Sequence, residues 1–431
     1  MSKRVNLAYG RDGLSVQLPE DAVVTIIDKK NLPALADPHA AIRRALDVPV
    51  GSAPLKELAR GRRSACILIC DITRPVLNHL FLRPMIEDLI SAGVPIDQVT
   101  VLIATGLHRP AEGAELEELV GDPWVLANVR VVNHMARVDA DHADLGVTST
   151  RGTPVKIDRR FVEADLRIAT GLVEPHFMAG YSGGRKIVAP GVAHADTIRT
   201  FHNARFMEDP FSTQCNLDRN PLHEEQLEIV RMIGEIYALN TVNDEHHQLA
   251  YVSFGEIVAS HLAAVEFARQ SCEVRVPRRF PTVVTSSAGY PLDKTYYQTI
   301  KGMVTPLDIL EPGGTLIIAS ECSEGLGSKE FHEAQKRLVS LGPDGFLKTI
   351  LNKKLADVDE WTTEMQLKPL KRGRVAFYTG GLNATERGMT GVENVTSVED
   401  AIRESMQRSG DSSVAVIPEG PYVIPFYAAT V

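Results

Sequence analysis

Short runs of apolar, mostly β-branched residues alternate with longer amphipathic stretches along most of the chain. Residues 65–70 (ACILIC) predict a buried strand, and residues 80–92 after it predict a helix. Uniformly apolar strands separated by helices are typical of a parallel sheet covered on both faces. The same strand pattern recurs at residues 99–104, 129–132, 166–169, 282–285, 315–319, 375–378 and 414–417. Helical patterns recur at residues 221–239, 256–270, 346–354 and 398–408.

The length of the chain and one break in this pattern predict two domains. A chain of 431 residues is too long for one ordinary core. Residues 273–281 are rich in charge and proline, and a new strand opens directly after them. We therefore expect a two-domain α/β fold, with residues 1–275 and 276–414 each forming a mainly parallel sheet flanked by helices. The apolar tail, residues 415–431, is expected to pack back on the first domain.

Composition narrows the class of protein. The net charge of −9 argues against nucleic acid or an anionic membrane as the main partner, because both prefer a basic surface. No apolar run reaches the roughly 18 residues that span a bilayer, and the N-terminus has no signal-peptide core. The five cysteines are scattered without a CxxC pair, so neither a disulfide framework nor a thiolate zinc site is predicted. These features favour a cytoplasmic protein.

Polar and ionisable residues follow three of the predicted strands. Asp71, Thr73 and Arg74 come after the strand at 65–70, and His108 and His176 follow the next strands along the chain. In open α/β sheets, ligands bind outside the carboxyl ends of the strands. The second domain repeats the arrangement, because polar residues also follow its first strand. We therefore expect one active site in the cleft between the two domains.

Each of these residues also has a structural alternative. Asp71 could cap a helix with Arg74 as its surface partner, and a lone histidine after a strand is more often structural than catalytic. The coincidence of His108 and His176 favours proton transfer, because imidazole takes and returns a proton near neutral pH. The planar guanidinium of Arg74 suits a carboxylate ligand.

A glycine-rich loop, GYSGGRK at residues 180–186, is the most distinctive segment. Glycines allow backbone N–H groups to approach an anion, which favours phosphate binding. The loop is not a Walker A motif, because Arg185 stands where that motif has glycine. A tight turn with a solvent-facing Arg-Lys pair is the structural alternative. His223, His246 and His247 are interpreted as surface residues, and no cage of protein ligands for a metal is predicted.

Five features together resemble the nickel-dependent lactate racemase family, and the likeness extends from about residue 65 to residue 365. They are DITRP at 71–75, TGLHRP at 105–110, EPHFMAGYSGGRK at 174–186, His202, and GYPLD with YYQTIK between 289 and 301. The order and spacing of these features are more specific than any one of them.

The resemblance implies a nickel-pincer nucleotide as cofactor, a pyridinium-3-thioamide-5-thiocarboxylic acid mononucleotide that binds nickel through one carbon and two sulfurs. Lys186 would hold it covalently through a thioamide bond, and His202 would complete the coordination of nickel. One imidazole, two sulfurs and a carbon form a suitable square-planar nickel environment. The resemblance also assigns to cofactor binding Asp71, Thr73, Gly183, Gly184, Arg185, Tyr297 and Trp361.

The resemblance further implies hydride transfer at C2 of a small 2-hydroxy acid. His108 or His176, according to the hand of the substrate, would remove the hydroxyl proton. The other histidine would return a proton after a planar 2-keto acid has formed. Arg74 would hold the substrate carboxylate, with Gln298 and Lys301 in support.

The implied function is that of an isomerase, a racemase or epimerase that depends on cofactor-maturation proteins. Lactate, malate and sugar acids remain open as substrates. A net oxidoreductase that releases the keto acid is one alternative, and a non-catalytic cofactor carrier is another. Two histidines favour inversion, since one-way oxidation needs only one. The presence of Arg74, Gln298 and Lys301 counts against a carrier.

Overall fold

A computed structural model describes residues 4–428 of the chain. These residues divide into two compact units. Unit A comprises Asn31–Phe201 and Asn216–Gln270, and unit B comprises His202–Cys215 with the described parts of Met1–Lys30 and Ser271–Val431. None of the helices in the described range is long and apolar enough to cross a membrane.

The strands in chain order begin with β1 (Arg4–Leu7), β2 (Leu14–Gln17), β3 (Val23–Ile26), β4 (Ala65–Cys70), β5 (Val99–Ala104), β6 (Arg130–Asn133), β7 (His142–Val147), β8 (Pro154–Asp158), β9 (Leu166–Leu172) and β10 (Pro175–His176). They continue with β11 (Gly180–Tyr181), β12 (Tyr237–Asn243), β13 (Leu249–Glu256), β14 (Glu273–Val276), β15 (Phe280–Ser286), β16 (Leu310–Ala319), β17 (Arg374–Tyr378), β18 (Glu393–Val395), β19 (Ser413–Ile417) and β20 (Ile424–Tyr427).

The α-helices begin with α1 (Pro38–Asp47), α2 (Leu55–Ala59), α3 (Asn78–Ser91), α4 (Ala114–Val120), α5 (Pro123–Asn128), α6 (Arg159–Val162), α7 (Arg185–Val188) and α8 (Ala195–Phe201). They continue with α9 (Ala204–Met207), α10 (Pro221–Ile233), α11 (Ile257–Cys272), α12 (Tyr296–Val304), α13 (Lys329–Ile350), α14 (Glu360–Arg372), α15 (Ala384–Gly388) and α16 (Val398–Ser409). Single 3₁₀ turns lie at Ile96–Gln98, Asp139–Asp141, Leu292–Lys294 and Gly420–Tyr422.

Unit A is built on a six-stranded sheet in the order β13-β12-β9-β4-β5-β6. All neighbours are parallel except β12 and β13. Ile67 and Ile69 project from β4 into a core shared with α3, which contributes Phe81, Met85 and Leu89 at intervals of one helical turn. Each such side chain stabilises the fold by about 1.5–3 kcal/mol when it leaves water. This core fixes β4, β5 and β9 side by side, so their carboxyl ends share one edge.

Unit B is built on a second six-stranded sheet, in the order β18-β17-β16-β15-β19-β3, with every pair parallel. Helix α16 buries Val398, Ala401, Ile402 and Met406 against this sheet, including Val284 of β15. Helices α12 and α14 pack on β15, β16 and β17 as well. The predicted fold class, two α/β domains with mainly parallel sheets flanked by helices, is confirmed.

The predicted domain limits differ from the observed division in three places. Residues 4–30 and 202–215 belong to unit B rather than to the first domain, because β3 extends the unit B sheet beside β19. The boundary predicted after residue 275 lies after residue 270. Strand β14, which follows it, belongs to unit B because it pairs with β20.

The prediction for the C-terminal tail is wrong over the described residues. Strand β19 lies between β15 and β3, inside the unit B sheet, and every residue of β19 is buried. Strand β20 pairs with β14 of the same unit. The apolar character of the tail therefore reflects strands of its own unit. Residues 429–431 of the predicted tail lie outside the described range.

The predicted strands at 65–70 and 99–104 have the observed bounds of β4 and β5. The predicted helix at 221–239 is wrong in its last part, because α10 ends at Ile233 and β12 begins at Tyr237. Gly234, with φ of +100°, ends the helix in a conformation that other residues rarely adopt.

Candidate active site

Three neighbouring strands of unit A deliver the candidate residues to one edge of the sheet. Asp71 and Arg74 follow β4, His108 follows β5, and His176 follows β9. Because β4 lies between β9 and β5, and all three are parallel, these side chains leave the sheet in the same direction. The expected grouping at strand ends is thus present within unit A.

Asp71 holds His108 in a defined orientation. The Nδ1 atom of His108 lies 2.6 Å from Oδ2 of Asp71, while the other carboxylate oxygen accepts hydrogen bonds from Oγ1 (2.6 Å) and N (3.2 Å) of Thr73. Burial favours the neutral acid, yet the bonds from His108 and Thr73 and the charge of Arg74 outweigh it and lower the pKa of Asp71. The ionised carboxylate accepts Nδ1–H, so the exposed Nε2 atom of His108 is able to take a proton.

In His176, unlike in His108, the Nδ1 atom accepts hydrogen bonds. It lies buried in the hairpin of β10 and β11, and its Nδ1 atom accepts from the backbone N–H groups of Met178 (3.4 Å) and Ala179 (3.2 Å). A neutral imidazole that accepts at Nδ1 carries its proton on Nε2. The two histidines therefore differ at Nδ1, since that atom faces a carboxylate in His108 and backbone N–H groups in His176.

Arg74 forms an ion pair with Glu174, through Nη1 and Oε1. Glu174 was not among the candidates from sequence, although it lies within the EPHF segment two residues before His176. The available signal was its place directly after β9, on the same edge as Arg74. The ion pair joins two residues that are 100 positions apart in the chain, so the sequence alone does not reveal it.

The glycines of the loop allow close packing within unit A. Gly183 and Gly184 have φ of +75° and +48°. A Cβ atom at Gly183 would lie 2.6 Å from Cγ2 of Val173, and one at Gly184 would lie 2.7 Å from Cβ of His261. The N–H of Gly184 donates to Oδ1 of Asn240 at 2.9 Å. These contacts explain why both positions are glycine without a bound anion.

Arg185 does not face solvent. Its side chain is buried, with Nη1 at 2.9 Å from Nε2 of His261 and Nη2 donating to the carbonyl of Ala179 at 2.8 Å. Burial lowers the pKa of Arg185 to about 9. The solvent-facing alternative is therefore wrong, and a role of Arg185 in cofactor binding stays a prediction.

His223, expected at the surface, is buried on α10 near Arg185, whereas His246 and His247 are exposed. Burial, reinforced by the charges of Arg185 and Arg231, lowers the pKa of His223 to about 3. The histidine was misassigned because its neighbours in sequence, HEEQL, are polar, while the face of α10 that carries it packs inward.

We expect acid to destabilise unit A through His223. The unfolded chain binds a proton there near pH 6.5, whereas the folded chain does so only near its lowered pKa of about 3. Stability is therefore lost as pH falls through this window, by up to about 1.4 kcal/mol per pH unit. Urea unfolding between about pH 7 and pH 5 measures the slope. His223→Gln should flatten it, and the exposed control His246→Gln should not; equal slopes in both variants would refute the assignment.

Lys186 lies at the same edge as Asp71 and Arg74. It is carried by α7, which packs against β4 and β9. Burial and the charge of Asp71 raise the pKa of Cys70, the last residue of β4, to about 11, and the positive charges of Arg74 and Lys186 oppose that rise. The charge of Lys186 is therefore close enough to the end of β4 to act on Cys70.

Unit B places three candidates on α12 with its N-cap at Thr295. Tyr297 and Lys301 are four residues apart and Gln298 and Lys301 three apart, so they lie along one side of the helix. Burial and the charge of Asp359 raise the pKa of Tyr297 well above its usual value. The Oε1 atom of Gln298 is buried and accepts no hydrogen bond from the residues between 4 and 428.

His202 and Trp361, far apart in sequence, are also neighbours in unit B. Their ring centroids lie 4.9 Å apart with the planes tilted by 44°, and both side chains are buried. Within the described part of the chain no group of three His, Cys, Asp or Glu side chains is arranged to hold a metal ion.

Comparison with family models gives two matches along the chain. Residues 9–214 match the lactate racemase N-terminal domain, and residues 278–425 match the lactate racemase C-terminal domain. The chain is 31% identical over 427 residues to the lactate racemase of Thermoanaerobacterium thermosaccharolyticum, which covers 97% of this chain and 98% of that protein. It is 30% identical over 391 residues to the lactate racemase of Lactiplantibacillus plantarum, which covers 89% and 90% of the two chains.

Solved structures show a similar relation. The lactate racemase apoprotein of T. thermosaccharolyticum superposes with a TM-score of 0.91 at 28% identity, over 98% of this chain and 100% of that one. A Thermotoga maritima protein of known crystal structure superposes with a TM-score of 0.64 at 18% identity, over 87% and 97% of the two chains. The second likeness concerns the fold alone.

Proposed function

This chain belongs to the lactate racemase family and is an isomerase, and from that premise we propose that it interconverts the two enantiomers of lactate. The observation that carries the proposal is the pair of unlike histidines at the ends of β5 and β9, on either side of β4. Inversion at one carbon needs a proton acceptor and a proton donor for the substrate oxygen, and we propose that one histidine serves as the neutral base while the other serves as the imidazolium acid.

We propose that His108 removes the hydroxyl proton of one enantiomer at its Nε2 atom. Asp71 keeps the Nδ1–H bond in place at 2.6 Å and stabilises the positive charge that develops on the imidazole. To return a proton to the oxygen of the other enantiomer, His176 has to act as an imidazolium that becomes neutral, and its Nδ1 atom then gives up the two long contacts with backbone N–H groups (3.4 and 3.2 Å). In the reverse direction the two histidines exchange roles.

The remaining candidates bind and orient the substrate. The Arg74 guanidinium is a planar donor suited to the substrate carboxylate. In unit B, Lys301 adds a positive charge, and the buried Oε1 of Gln298 needs a donor, since an unpaired buried acceptor is costly. The hydroxyl group of a 2-hydroxy acid is such a donor. We propose that Gln298 and Lys301 act on the same substrate as Arg74.

We propose that the cofactor is the nickel-pincer nucleotide, attached at Lys186, with His202 as the protein ligand of nickel. Two observations support the fit: Lys186 is carried by α7, which packs against β4 and β9, and the His202 imidazole, a donor that suits nickel, lies against Trp361. When bound, this group supplies a pyridinium ring that accepts and returns a hydride. Tyr297 and Trp361 would line its surroundings, and Asp71 with Thr73 would order Arg74 beside it.

The proposal also implies maturation proteins that make the cofactor and a cytoplasmic setting. None of the cysteines between residues 4 and 428 forms a disulfide bond, as a reducing compartment favours.

The proposed substrate is tested with cofactor-matured protein and single enantiomers of lactate, malate and 2-hydroxybutyrate, followed by chiral chromatography. We expect L-lactate to be converted until both enantiomers are present in equal amounts. If malate is inverted faster than lactate, malate rather than lactate is the substrate. Keto acid formed in step with the loss of lactate would favour a net oxidoreductase.

A further inference from the structure

We infer that Glu174 is the positioning residue for Arg74, because its carboxylate holds one edge of the guanidinium and leaves the opposite edge for the substrate carboxylate. The inference rests on the proposed function, in which Arg74 binds that carboxylate. Glu174 itself does not touch the reacting atoms in this account; it acts through Arg74.

The contacts of Arg74 support the inference that Glu174 and the substrate bind opposite edges of its guanidinium. Nη1 donates to Glu174, and among residues 4–428 the Nε and Nη2 atoms have no hydrogen-bond partner. The Nε–Nη2 edge is the side-on fork that binds a carboxylate through two parallel hydrogen bonds. The Arg74 side chain is 27% exposed, so the fork is accessible to a small anion. Glu174 and a substrate carboxylate therefore occupy different edges and need not compete.

Glu174 is itself fixed by its backbone. Its N–H donates to Oγ of Ser182 at 3.0 Å, and its carbonyl accepts from the N–H of Ser182 at 2.9 Å. The Ser182 hydroxyl in turn donates to the carbonyl of Leu172 at 2.7 Å. These bonds tie Glu174 to the hairpin that carries His176 and leads into the loop of Lys186. The ion pair thus sets the direction of Arg74 relative to the catalytic histidine of that hairpin.

The charges around Arg74 indicate that the pair serves orientation rather than folding. Asp71 also lies near Arg74, whose charge helps to lower the pKa of Asp71. Glu174 is therefore not the only carboxylate near the Arg74 guanidinium. Partly exposed ion pairs add little to stability, and Glu174 is 20% exposed. Loss of Glu174 should therefore leave the fold intact while Arg74 loses its fixed direction.

The first test compares Glu174→Ala, Glu174→Gln and the control Glu115→Gln in cofactor-matured protein. Glu115 forms an exposed ion pair with Arg109 at 2.6 Å and has no proposed role. We expect KM for lactate to rise about tenfold in Glu174→Ala, as for one lost charge-assisted hydrogen bond, with kcat changed much less. Glu174→Gln, whose amide oxygen still accepts from Nη1, should recover part of the affinity, and the control should match the wild type.

Other kinetic outcomes overturn the inference. A lower KM in Glu174→Ala would mean that Glu174 competes with substrate for Arg74. An unchanged KM would mean that the pair is only a surface contact. A loss confined to kcat would place Glu174 in proton transfer instead.

A second test needs neither cofactor nor turnover. Phenylglyoxal labels accessible arginines, and mass spectrometry of digested protein reports the labelling rate at Arg74. In unloaded protein, Glu174→Ala should raise that rate several-fold over the wild type, because the carboxylate no longer covers Nη1 or holds its proton, while Glu115→Gln should leave it unchanged. An unchanged rate in Glu174→Ala overturns the positioning role whatever the reaction is. A raised rate in a protein that fails to invert lactate would reject the proposed function and keep the Glu174–Arg74 assignment.

Discussion

Replacing Lys186 by alanine is expected to abolish lactate racemisation, because the variant has no amine to form the bond that retains the cofactor. Lys186 is carried on α7 against β4 and β9, and its charge acts on Cys70 at the end of β4. Intact mass and nickel content of matured protein measure the effect directly. The wild type should carry one added mass and about one nickel, and Lys186→Ala neither.

The matched control is Lys56→Ala, an exposed lysine of unit A that pairs with Asp88 at 3.3 Å. It should keep both the added mass and the activity. Full activity in Lys186→Ala, or an added mass that maps to another lysine, would remove Lys186 from the account.

Replacing His108 by alanine is expected to lower kcat by about 10²–10⁴-fold, the usual contribution of one positioned acid–base group. The cofactor mass should be unaffected, since His108 makes its contact with Asp71 rather than with Lys186. Asp71→Asn should also lower kcat, but less. The amide lacks the charge that stabilises a protonated imidazole, and it no longer fixes the Nδ1–H form. Steady-state kinetics with each enantiomer measures both effects.

His176→Ala should show a comparable loss of kcat, and His39→Ala serves as the control because His39 is exposed on α1, a helix that follows none of the strands β4, β5 and β9. If His108→Ala and His176→Ala both remain fully active, proton transfer does not pass through these two histidines. If only one of them is impaired, a single base serves both enantiomers.

Much of the fold could be predicted from local patterns. Strands β4 and β5 are uniformly apolar over six residues, a pattern typical of strands buried on both faces, and their bounds were predicted correctly. The predicted helix at 221–239 extended into the first three residues of β12. These residues form a strand because β12 pairs with β9, which lies far earlier in the chain, and with β13, which lies after it. The tail was misplaced for the same reason, since only the sheet order shows that β19 lies beside β15.

In the candidate site, too, the residues that follow local sequence patterns could be predicted, and those that depend on distant contacts could not. Asp71, Arg74, His108 and His176 were identified because each follows an apolar strand, and parallel strands bring their ends to one edge. Glu174 was missed because its importance depends on a contact with Arg74 across the sheet. The role expected for Arg185 followed from the glycine-rich loop around it. In the structure its direction is set by His261, a residue 76 positions away on α11.

The most direct test of the account is to measure kcat/KM separately from pure L-lactate and from pure D-lactate with the same matured enzyme. Enantiomers have equal free energies in water, so a racemase must give the same kcat/KM from both sides. We expect a ratio of unity in the wild type and in Glu174→Ala, with pyruvate remaining below the enzyme concentration. A ratio far from unity, with pyruvate accumulating as lactate disappears, would contradict racemisation and make this protein an oxidoreductase.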